Sequence, residues 1–583
     1  MLIVLFGFTF VKSQNHQLPP AWANNKQVNV QFDNRTRAYI SPVRILWKQH
    51  TGDAVLTGED NLLRPGNGQS ELPQNNLCHM KNSKTGQVSI LLDFGKELQG
   101  GIQIITGMSS KRENKIRLRF GESAEEAMCE IDGKNGATND HAIRDLELTV
   151  PWLGVAEYGN TGFRFVRLDL VGPDADALLK EVRACFLYRE IPYLGSFQCD
   201  NERLNEIWMT GAYTVQLNMQ GYIWDGIKRD RLVWIGDMNP EIRTINSVFG
   251  YNEVVPKSLD LTRDTTPLPQ WMNGISAYSM WWLLDHYYWY MANGNLDYLK
   301  QQKSYIFSLL DLLMTKMDKN GSETLDARML DWPSSENPKG IHAGLQALMV
   351  MVFDAGQQIA TFLDDTAMAD KCKAAASKMR KNVPDVNQSK QAAALQSLVG
   401  MMSAKKANDK YIAVGGPKNF STFYGYYMLQ AMAKAGNYQG AMDIISQYWG
   451  AMLDLGATTF WEDFNIDWTN NAARIDELVP EGKIDIHKSY GNYCYKGYRH
   501  SLCHGWASGP TSWLSEYVLG VQVLKPGCRE VLIEPHLGNL NWVKGTYPTP
   551  YGVITISHKK GADGKVISDV QAPAGVTIVK SEN

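Results

Sequence analysis

The stretch Gly195-Ser-Phe-Gln-Cys-Asp-Asn-Glu-Arg-Leu-Asn-Glu-Ile-Trp208 marks the place where the pattern of this 583-residue chain changes. From about Asn201 the apolar residues recur with the period of a helix, at Leu204, Ile207 and Trp208, because residues three or four positions apart share one helix face. The same spacing returns in later segments, which are 280–290, 306–314, 343–353, 391–402, 423–433 and 438–449. Repeated helices joined by loops predict a helical bundle or an (α/α) toroid over residues 191–519.

Short segments with the alternating pattern of β-strands lie on both sides of this helical region. Before it they are 88–93, 102–106, 115–120 and 163–168, separated by Gly-rich turns, and after it they are 530–534, 540–545, 552–556 and 576–579. A period of two with frequent turns is typical of β-sandwiches. The sequence therefore predicts a multidomain α and β fold, with the helical domain between an N-terminal β-sandwich (14–190), an accessory domain that binds carbohydrate or braces the rest, and a C-terminal one (520–583).

Residues 1–13 have the composition of a signal peptide. Leu2 to Val11 form an apolar run that is too short to span a bilayer. Val11 and Ser13 occupy the small-residue positions that precede a cleavage site, although no basic leader precedes Leu2. No later window has about 18 apolar residues in a row. We therefore expect a secreted or periplasmic protein that keeps no membrane segment after processing.

Charge and cysteine spacing exclude several classes of partner. A net charge of −3, from 58 basic and 61 acidic residues, gives no field that would attract a polyanion, so we do not expect nucleic acid as a partner. The eight cysteines include no Cys-x-x-Cys pair and predict neither a zinc site nor a disulfide framework, although Cys494 and Cys503 could be bridged in an oxidising compartment. No cofactor is expected, and the sequence predicts neither a structural calcium nor an oligomeric state.

Residues 224–237, Trp-Asp-Gly-Ile-Lys-Arg-Asp-Arg-Leu-Val-Trp-Ile-Gly-Asp, form a segment that we call the acid loop; it holds three carboxylates, three cations and two tryptophans. Indole faces pack on the apolar face of a pyranose ring, while carboxylates and guanidinium groups bind its hydroxyls. A surface loop with paired charges is the alternative. Two more segments, 456–464 and 501–506, also combine ionisable groups with an aromatic. We expect the three loops to meet in a pocket at one end of the helical domain, which suits the cleavage of a sugar.

Inverting glycoside hydrolysis requires a protonated carboxyl group and an ionised carboxylate about 6.5–9.5 Å apart on opposite sides of the sugar. Two separate loops can provide that gap, whereas adjacent residues on one strand cannot. An acid from the acid loop and Glu462 from the second loop are therefore the natural division, with Glu462, after Trp461, as the general base. The alternative is that Glu462 pairs with a Lys or Arg at a helix end.

At these residues the chain resembles the α-L-rhamnosidases of glycoside hydrolase family 78. The resemblance consists of segments in a fixed order: Gly195–Asp200 with Leu204–Trp208; Asp225, Arg229, Arg231, Trp234, Gly236 and Asp237 in the acid loop; Asp331-Trp332; Gly456–Glu462; and Ser501–His504 with Tyr517–Gly520, Ile533–His536 and Pro550–Gly552. It extends over residues 190 to 560, and Asp93–Gly95 with Phe120–Glu122 resemble the preceding β-domain. Each motif is weak alone, but their common order makes the resemblance specific.

The resemblance implies an (α/α)6 barrel as catalytic domain and an inverting hydrolase that releases terminal α-L-rhamnose. It assigns the proton donor to Asp230, which stands where the family carries Glu, and the base to Glu462. Sugar-binding or supporting roles are implied for a larger set: Asp225, Arg229, Trp234, Asp237, Trp271, Asp331, Trp332, Trp461 and His504. A histidine satisfied within the core is the alternative for His504.

Two departures from the family pattern keep other functions open. Asp230 is one methylene shorter than Glu, and general acid catalysis depends on reach. Asn273 stands where the family has an Asp near Trp271. A catalytically weak or inactive carbohydrate-binding homologue, or a toroid hydrolase for another sugar, would present similar walls with a misplaced acid pair or different polar residues. Fold alone does not separate these functions.

Overall fold

A computed structural model describes residues 18–23, 29–73, 75–131 and 135–580. The expected signal peptide, residues 1–13, lies outside the described residues. None of the helices in the described part of the chain combines the length and the apolar character that a bilayer crossing requires.

The N-terminal domain is a nine-stranded antiparallel sheet with the strand order β3-β4-β9-β5-β8-β6-β7, in which β1 pairs with β9 and β2 with β5. Its strands are β1 Thr36–Ile40, β2 Arg44–His50, β3 Val55–Thr57, β4 Cys78–Lys81, β5 Val88–Thr106, β6 Asn114–Gly121, β7 Asp145–Val150, β8 Val155–Val171 and β9 Asp176–Tyr188, and two short helices, α1 Pro20–Ala23 and α2 Ala124–Met128, accompany them. The side chains of β5 are buried along most of its length, on both faces. This domain therefore has its own hydrophobic core.

The helical domain follows, and the patterns at 280–290, 306–314 and 343–353 lie inside three of its long helices. Its helices are α3 Glu202–Asn218, α4 Met238–Val248, α5 Val254–Thr265, α6 Ser276–Asn293, α7 Leu296–Thr315, α8 Pro338–Phe362, α9 Thr366–Met379, α10 Lys390–Leu398, α11 Ala404–Ala407, α12 Gly425–Lys434, α13 Tyr438–Ile444, α14 Gly450–Asp454, α15 Ile486–Ser489 and α16 Gly509–Trp513. A π-helical turn, Ile445–Trp449, joins α13 to α14.

Helices α4, α6, α8, α10, α12 and α16 each pack against the next, and α16 returns to α4. Their contacts therefore form a closed ring. Large aromatic side chains fill the space between these helices; Trp281 on α6, for example, stacks on Tyr427 of α12 with ring centroids 4.8 Å apart. The loops at one end of this ring carry the predicted site residues.

The C-terminal strands form two sheets, with the orders β10-β13-β14-β15 and β11-β12-β16. The strands are β10 Ser196–Cys199, β11 Val521–Lys525, β12 Glu530–Ile533, β13 Trp542–Thr549, β14 Gly552–Lys560, β15 Val566–Gln571 and β16 Thr577–Lys580. Strand β10 precedes the helices in sequence but pairs with β13, for example Ser196 with Thr546. The stretch that opens the helical region thus also fastens it to the C-terminal sheet.

Candidate active site

The three loops that the sequence predicts to form one pocket lie together at one end of the ring of helices. Gly226 of the acid loop forms an antiparallel bridge with His504, and the amide of Gly505 donates to the carbonyl of Asp225 at 3.1 Å. The amide of Glu462 donates to the carbonyl of Ser501 at 3.0 Å. Backbone hydrogen bonds therefore hold the acid loop, the 456–464 segment and the 501–506 segment side by side.

A cavity of about 90 Å³ opens between these loops. Its lining combines three aspartates, one glutamate, an arginine and a histidine with aromatic and aliphatic side chains: Asp225, Arg229, Asp230, Trp234, Asp237, Ile275, Tyr278, Met329, Trp332, Glu462, Tyr495, His504 and Trp506. A larger open groove, about 1120 Å³, lies elsewhere, between α3 and the C-terminal sheet, and none of the predicted site residues lines it.

The acid loop closes on itself through Asp225 and Leu232. Their backbones bond at 3.1 Å, and the amide of Leu232 also donates to Oδ1 of Asp225 at 3.1 Å. Between them Asp230 and Arg231 have positive φ angles of 50° and 57°, a region that costs non-glycine residues free energy and that clusters at functional sites. Asn273 holds the loop from outside, because its side chain bonds the backbone of Val233 and Ile235.

Glu462 and Arg229 form a buried ion pair at the centre of the cavity. Burial alone would raise the pKa of Glu462, but the charge of Arg229, with smaller contributions from His504 and a second histidine, lowers this pKa to about 2. Oε2 also accepts from the amide of Ser501 at 3.3 Å. Glu462 is therefore ionised throughout the physiological pH range, as a general base must be. The alternative that the sequence left open for Glu462, an ion pair with an arginine, is also observed, but this pair lies inside the cavity.

Asp230 lies on the other side of the same guanidinium. Its Oδ1 is 3.2 Å from Nη1 of Arg229 and 3.3 Å from Nε2 of His141, and its Oδ2 accepts from the indole of Trp234 at 3.1 Å. His141 belongs to the N-terminal domain, from the loop before β7. The acid position therefore receives contacts from two domains, which no local sequence pattern could indicate.

Asp237 and His504 form a second buried pair. Tyr278 donates to Oδ1 of Asp237 at 2.7 Å, and Nε2 of His504 lies 3.1 Å from Oδ2. Burial lowers the pKa of His504, but the carboxylates of Glu462 and Asp237 outweigh it, so the net shift is upward. Nδ1 of His504 has no hydrogen-bond partner among the described residues. The imidazole is thus buried yet incompletely satisfied, unlike the core histidine considered as its alternative.

Burial is the largest influence on the pKa of three further carboxyl groups, those of Asp225, Asp237 and Glu241. It raises the pKa of Asp225 well above its ordinary value, and it raises the pKa of Asp237 despite the bonds from His504 and Tyr278. Glu241 lies beneath them on α4, and burial raises its pKa as well. The Arg229 guanidinium and the His504 imidazole line the same cavity, so it offers both donors and acceptors to a ligand rich in hydroxyls.

Aromatic rings form the walls. Trp332 contacts Tyr495 edge to face, with centroids 5.6 Å apart, and the Arg229 guanidinium lies 3.6 Å above the Tyr495 ring. Trp234 meets Tyr278 edge to face at 6.0 Å. Sequence reasoning missed five of the lining residues, which are Ile275, Tyr278, Met329, Tyr495 and Trp506. The Ser-Leu-Cys-His-Gly-Trp segment did contain Trp506 and was the one signal that could have found it.

The structure does not bring Trp271, Asp331 and Trp461 to the cavity. Trp461 is buried in the core beside Phe464, whereas its neighbour Glu462 lines the cavity. Asp331 caps the short helix Trp332–Ser334 and accepts from Ser421 at 2.7 Å. Trp271 donates to Asp326 at 3.0 Å.

One further ionisable cluster lies just behind the acid loop. Glu122, Glu126 and His487 are buried with the spacing of metal ligands. The ammonium group of Lys228 lies among them, 3.0 Å from Glu122 and 3.3 Å from Glu126. A side-chain cation therefore supplies the positive charge there and ties the acid loop to the N-terminal domain.

Cys494 and Cys503, considered for a disulfide, are separate thiols.

Comparison with protein families gives two matches. The family of the bacterial α-L-rhamnosidase six-hairpin glycosidase domain matches residues 192–518, and that of the bacterial α-L-rhamnosidase C-terminal domain matches residues 520–579. No curated protein sequence matches the chain.

Several solved structures share the fold. The family 78 rhamnosidase of Bacillus sp. GL1 superposes with a TM-score of 0.72 at 21% identity, over 89% of this chain and 55% of that one. The α-L-rhamnosidase of Streptomyces avermitilis complexed with L-rhamnose superposes with a TM-score of 0.66 at 19% identity, over 84% of this chain and 48% of that one. The rhamnosidase from Klebsiella oxytoca with rhamnose bound superposes with a TM-score of 0.66 at 18% identity, over 83% of this chain and 96% of that one. This chain thus spans about half the length of the first two.

Proposed function

The chain belongs to the bacterial α-L-rhamnosidase six-hairpin glycosidase family, and from this premise we propose that it is an exo-acting hydrolase that releases terminal α-L-rhamnose with inversion. We infer further that the ring of six packed helices is the inner layer of an (α/α)6 toroid and that the two C-terminal sheets form a sandwich. The α-L-rhamnosides are then the substrates for which the cavity is built.

One observation carries the mechanism: the Arg229 guanidinium contacts both Asp230 and Glu462. The two carboxyl groups thus come from different loops and flank one group, an arrangement that suits the separation of about 6.5–9.5 Å of an inverting pair. Glu462 would take a proton from the attacking water, and Asp230 would give one to the leaving oxygen. Because Glu462 is ionised, it is in the form that this role requires.

The rest of the cavity supports a deoxy sugar as ligand. His504 and the Asp237–Tyr278 pair supply hydrogen-bonding groups for ring hydroxyls. Ile275 and Met329 supply apolar surface. Rhamnose has a methyl group where most hexoses have a hydroxymethyl group, so an apolar contact there avoids leaving a hydroxyl without a partner. A small cavity favours removal of a single terminal residue over cleavage within a chain.

The test measures release of rhamnose from an aryl α-L-rhamnoside by the wild type and by Asp230→Asn, Asp230→Glu and Glu462→Gln. General acid and base groups contribute about 10²–10⁴-fold each, so both amide variants should lose rate by that order while keeping their fold by circular dichroism. Wild-type rates in both amide variants would contradict the assignment.

A carbohydrate-binding protein without catalysis is the second candidate. Asp230 carries the shorter side chain, and both of its oxygens already contact donors. If the wild type binds rhamnose but releases none, and Asp230→Glu gains activity, binding is the natural role. Release of a different sugar from a panel of aryl glycosides would instead indicate a toroid hydrolase of other specificity.

We also propose that the protein is secreted or periplasmic, because Leu2 to Val11 have the apolar character of a signal-peptide core. N-terminal sequencing of the mature protein from fractionated cells tests this. A mature N-terminus near Gln14 in the extracellular or periplasmic fraction is expected, and an intact Met1 in the cytoplasm would contradict it.

A further inference from the structure

The contacts of Asp230 raise the question of where its catalytic proton comes from. Among the described residues, three groups contact its carboxyl oxygens: the Arg229 guanidinium and the Trp234 indole, which donate, and the His141 imidazole, which donates when Nε2 is protonated. A carboxylate accepts from such a set, whereas the proposed reaction needs a proton on this carboxyl group. The contacts of this carboxyl group therefore decide which neighbour can supply one.

Of the three neighbours, the imidazole is the one that can exchange a proton. Guanidinium and indole groups keep their protons throughout the physiological range, while an imidazole loses and regains one. The ring of His141 is 30% exposed, so it can exchange protons with water, and its Nε2 lies 3.3 Å from Asp230.

The surroundings of His141 provide a partner for each of its two charge states. When Nε2 carries no proton, it can accept from Nη2 of Arg499 at 3.0 Å. When it is protonated, it faces Oδ1 of Asp230 and, at 3.7 Å, the carboxylate of Asp140. Asp140 in turn pairs with Arg499. In the described part of the chain, the ionisable groups that face this ring are therefore one guanidinium, which binds the neutral nitrogen, and two carboxylates, which attract the protonated one.

We infer that His141, contributed by the N-terminal β-domain, is the positioning and proton-supplying partner of Asp230, so that the catalytic acid is a histidine–aspartate pair shared between two domains. This inference rests on the proposed function. It gives the β-domain a part in the chemistry, and it provides a means by which the shorter side chain at position 230 is kept in place and recharged.

The proton balance of one turnover is closed. Imidazolium Nε2 gives its proton to Asp230, which passes it to the leaving oxygen as the glycosidic bond breaks. Glu462 takes one proton from the attacking water as the new bond to carbon forms. Glu462 then returns that proton to solvent, and His141 takes one from solvent, so the net reaction consumes only the water.

The decisive experiment compares two substrates of different leaving-group ability. Phenyl α-L-rhamnoside needs protonation of its leaving oxygen, whereas dinitrophenyl α-L-rhamnoside hardly does. We expect His141→Gln, which bonds but cannot carry the proton, to lose about 10²-fold in kcat on the phenyl substrate, and little on the dinitrophenyl substrate. Added imidazole should restore part of the activity of His141→Ala on the phenyl substrate.

His79→Gln is the matched control. His79 lies in the same domain and also contacts an aspartate, Asp176, at 2.7 Å with 34% of its side chain exposed, but it does not line the cavity. The His79→Gln variant should leave the rates on the phenyl and the dinitrophenyl substrate unchanged. Equal losses on the two substrates in His141→Gln would assign a structural role and overturn the inference, as would no loss on either. A wild type inert on both substrates would overturn the proposed function itself, which separates the two failures.

Discussion

Replacing Arg229 with Met should move the pH dependence of the enzyme, because this guanidinium is the main reason that Glu462 is ionised. Burial raises the pKa of Glu462, and the charge of Arg229 is the largest contribution that lowers it to about 2. Without Arg229 the buried carboxylate has lost its partner. The base should then bind a proton at a higher pH than in the wild type.

The magnitude follows from the cost of breaking a buried pair. Removing one partner costs about 3–5 kcal/mol, and one pKa unit corresponds to about 1.4 kcal/mol, so the pKa of Glu462 should rise by about 2–4 units. A carboxylate that acts as general base is active in its ionised form, which predominates above its pKa. With the pKa of Glu462 at about 2 in the wild type, the acidic limb of kcat/KM is expected between about pH 4 and 6 in the variant.

The assay is the pH profile of kcat/KM for an aryl α-L-rhamnoside between pH 3 and 8. The loss in Arg229→Met should be greater at pH 4 than at pH 7, by about 2-fold if the limb lies at pH 4 and about 90-fold if it lies at pH 6, and activity should recover as the pH rises. Arg231→Met is the matched control, since it removes the same charge from the same loop but contacts Asn160 instead of a carboxylate. An acidic limb that stays in place, or one that moves equally in both variants, would refute the reasoning.

Two other predictions concern the walls and the support of the cavity. Trp332→Ala should raise KM about 3–10-fold with a smaller change in kcat, since it removes an aromatic wall worth about 0.5–1.5 kcal/mol. Trp271→Ala, which changes a tryptophan outside the cavity, should leave KM unchanged. Steady-state kinetics measure both variants, and equal effects on KM would contradict the placement of Trp332 in the cavity wall. Lys228→Met should lower the free energy of unfolding by about 3–5 kcal/mol, because it leaves the buried Glu122 without its cation, while Glu126 keeps Arg144. Urea denaturation measures this, with the exposed Lys257→Met as control, and a change within about 0.5 kcal/mol would show that the cluster does not depend on Lys228.

Periodicity predicted most of the fold. The helical spacing at 280–290 and 343–353 lies within α6 and α8, and the strand patterns at 88–93 and 102–106 both lie within β5. What periodicity could not predict was the pairing of β10 with β13, because four residues with no long-range signal carry that contact.

For the site, local composition predicted three loops, 224–237, 456–464 and 501–506, and the family resemblance added Trp332, but neither indicated the residues that helices or distant loops contribute. Tyr278 reaches the cavity from α6, whose apolar run looks like ordinary core, and His141 comes from another domain. Trp461 shows the converse. Its neighbour Glu462 lines the cavity, whereas Trp461 is buried in the core beside Phe464. Composition places a residue near a site, but the direction of its side chain depends on backbone geometry that composition does not encode.

The central claim, that two carboxyl groups on separate loops cleave α-L-rhamnosides with inversion, is tested most directly by proton NMR of the first product. Wild-type enzyme acting on an aryl α-L-rhamnoside should release the β-anomer first, with the α-anomer appearing only as the free sugar mutarotates. First release of the α-anomer would contradict the arrangement of Asp230 and Glu462 around Arg229, and no release at all would assign the cavity to binding.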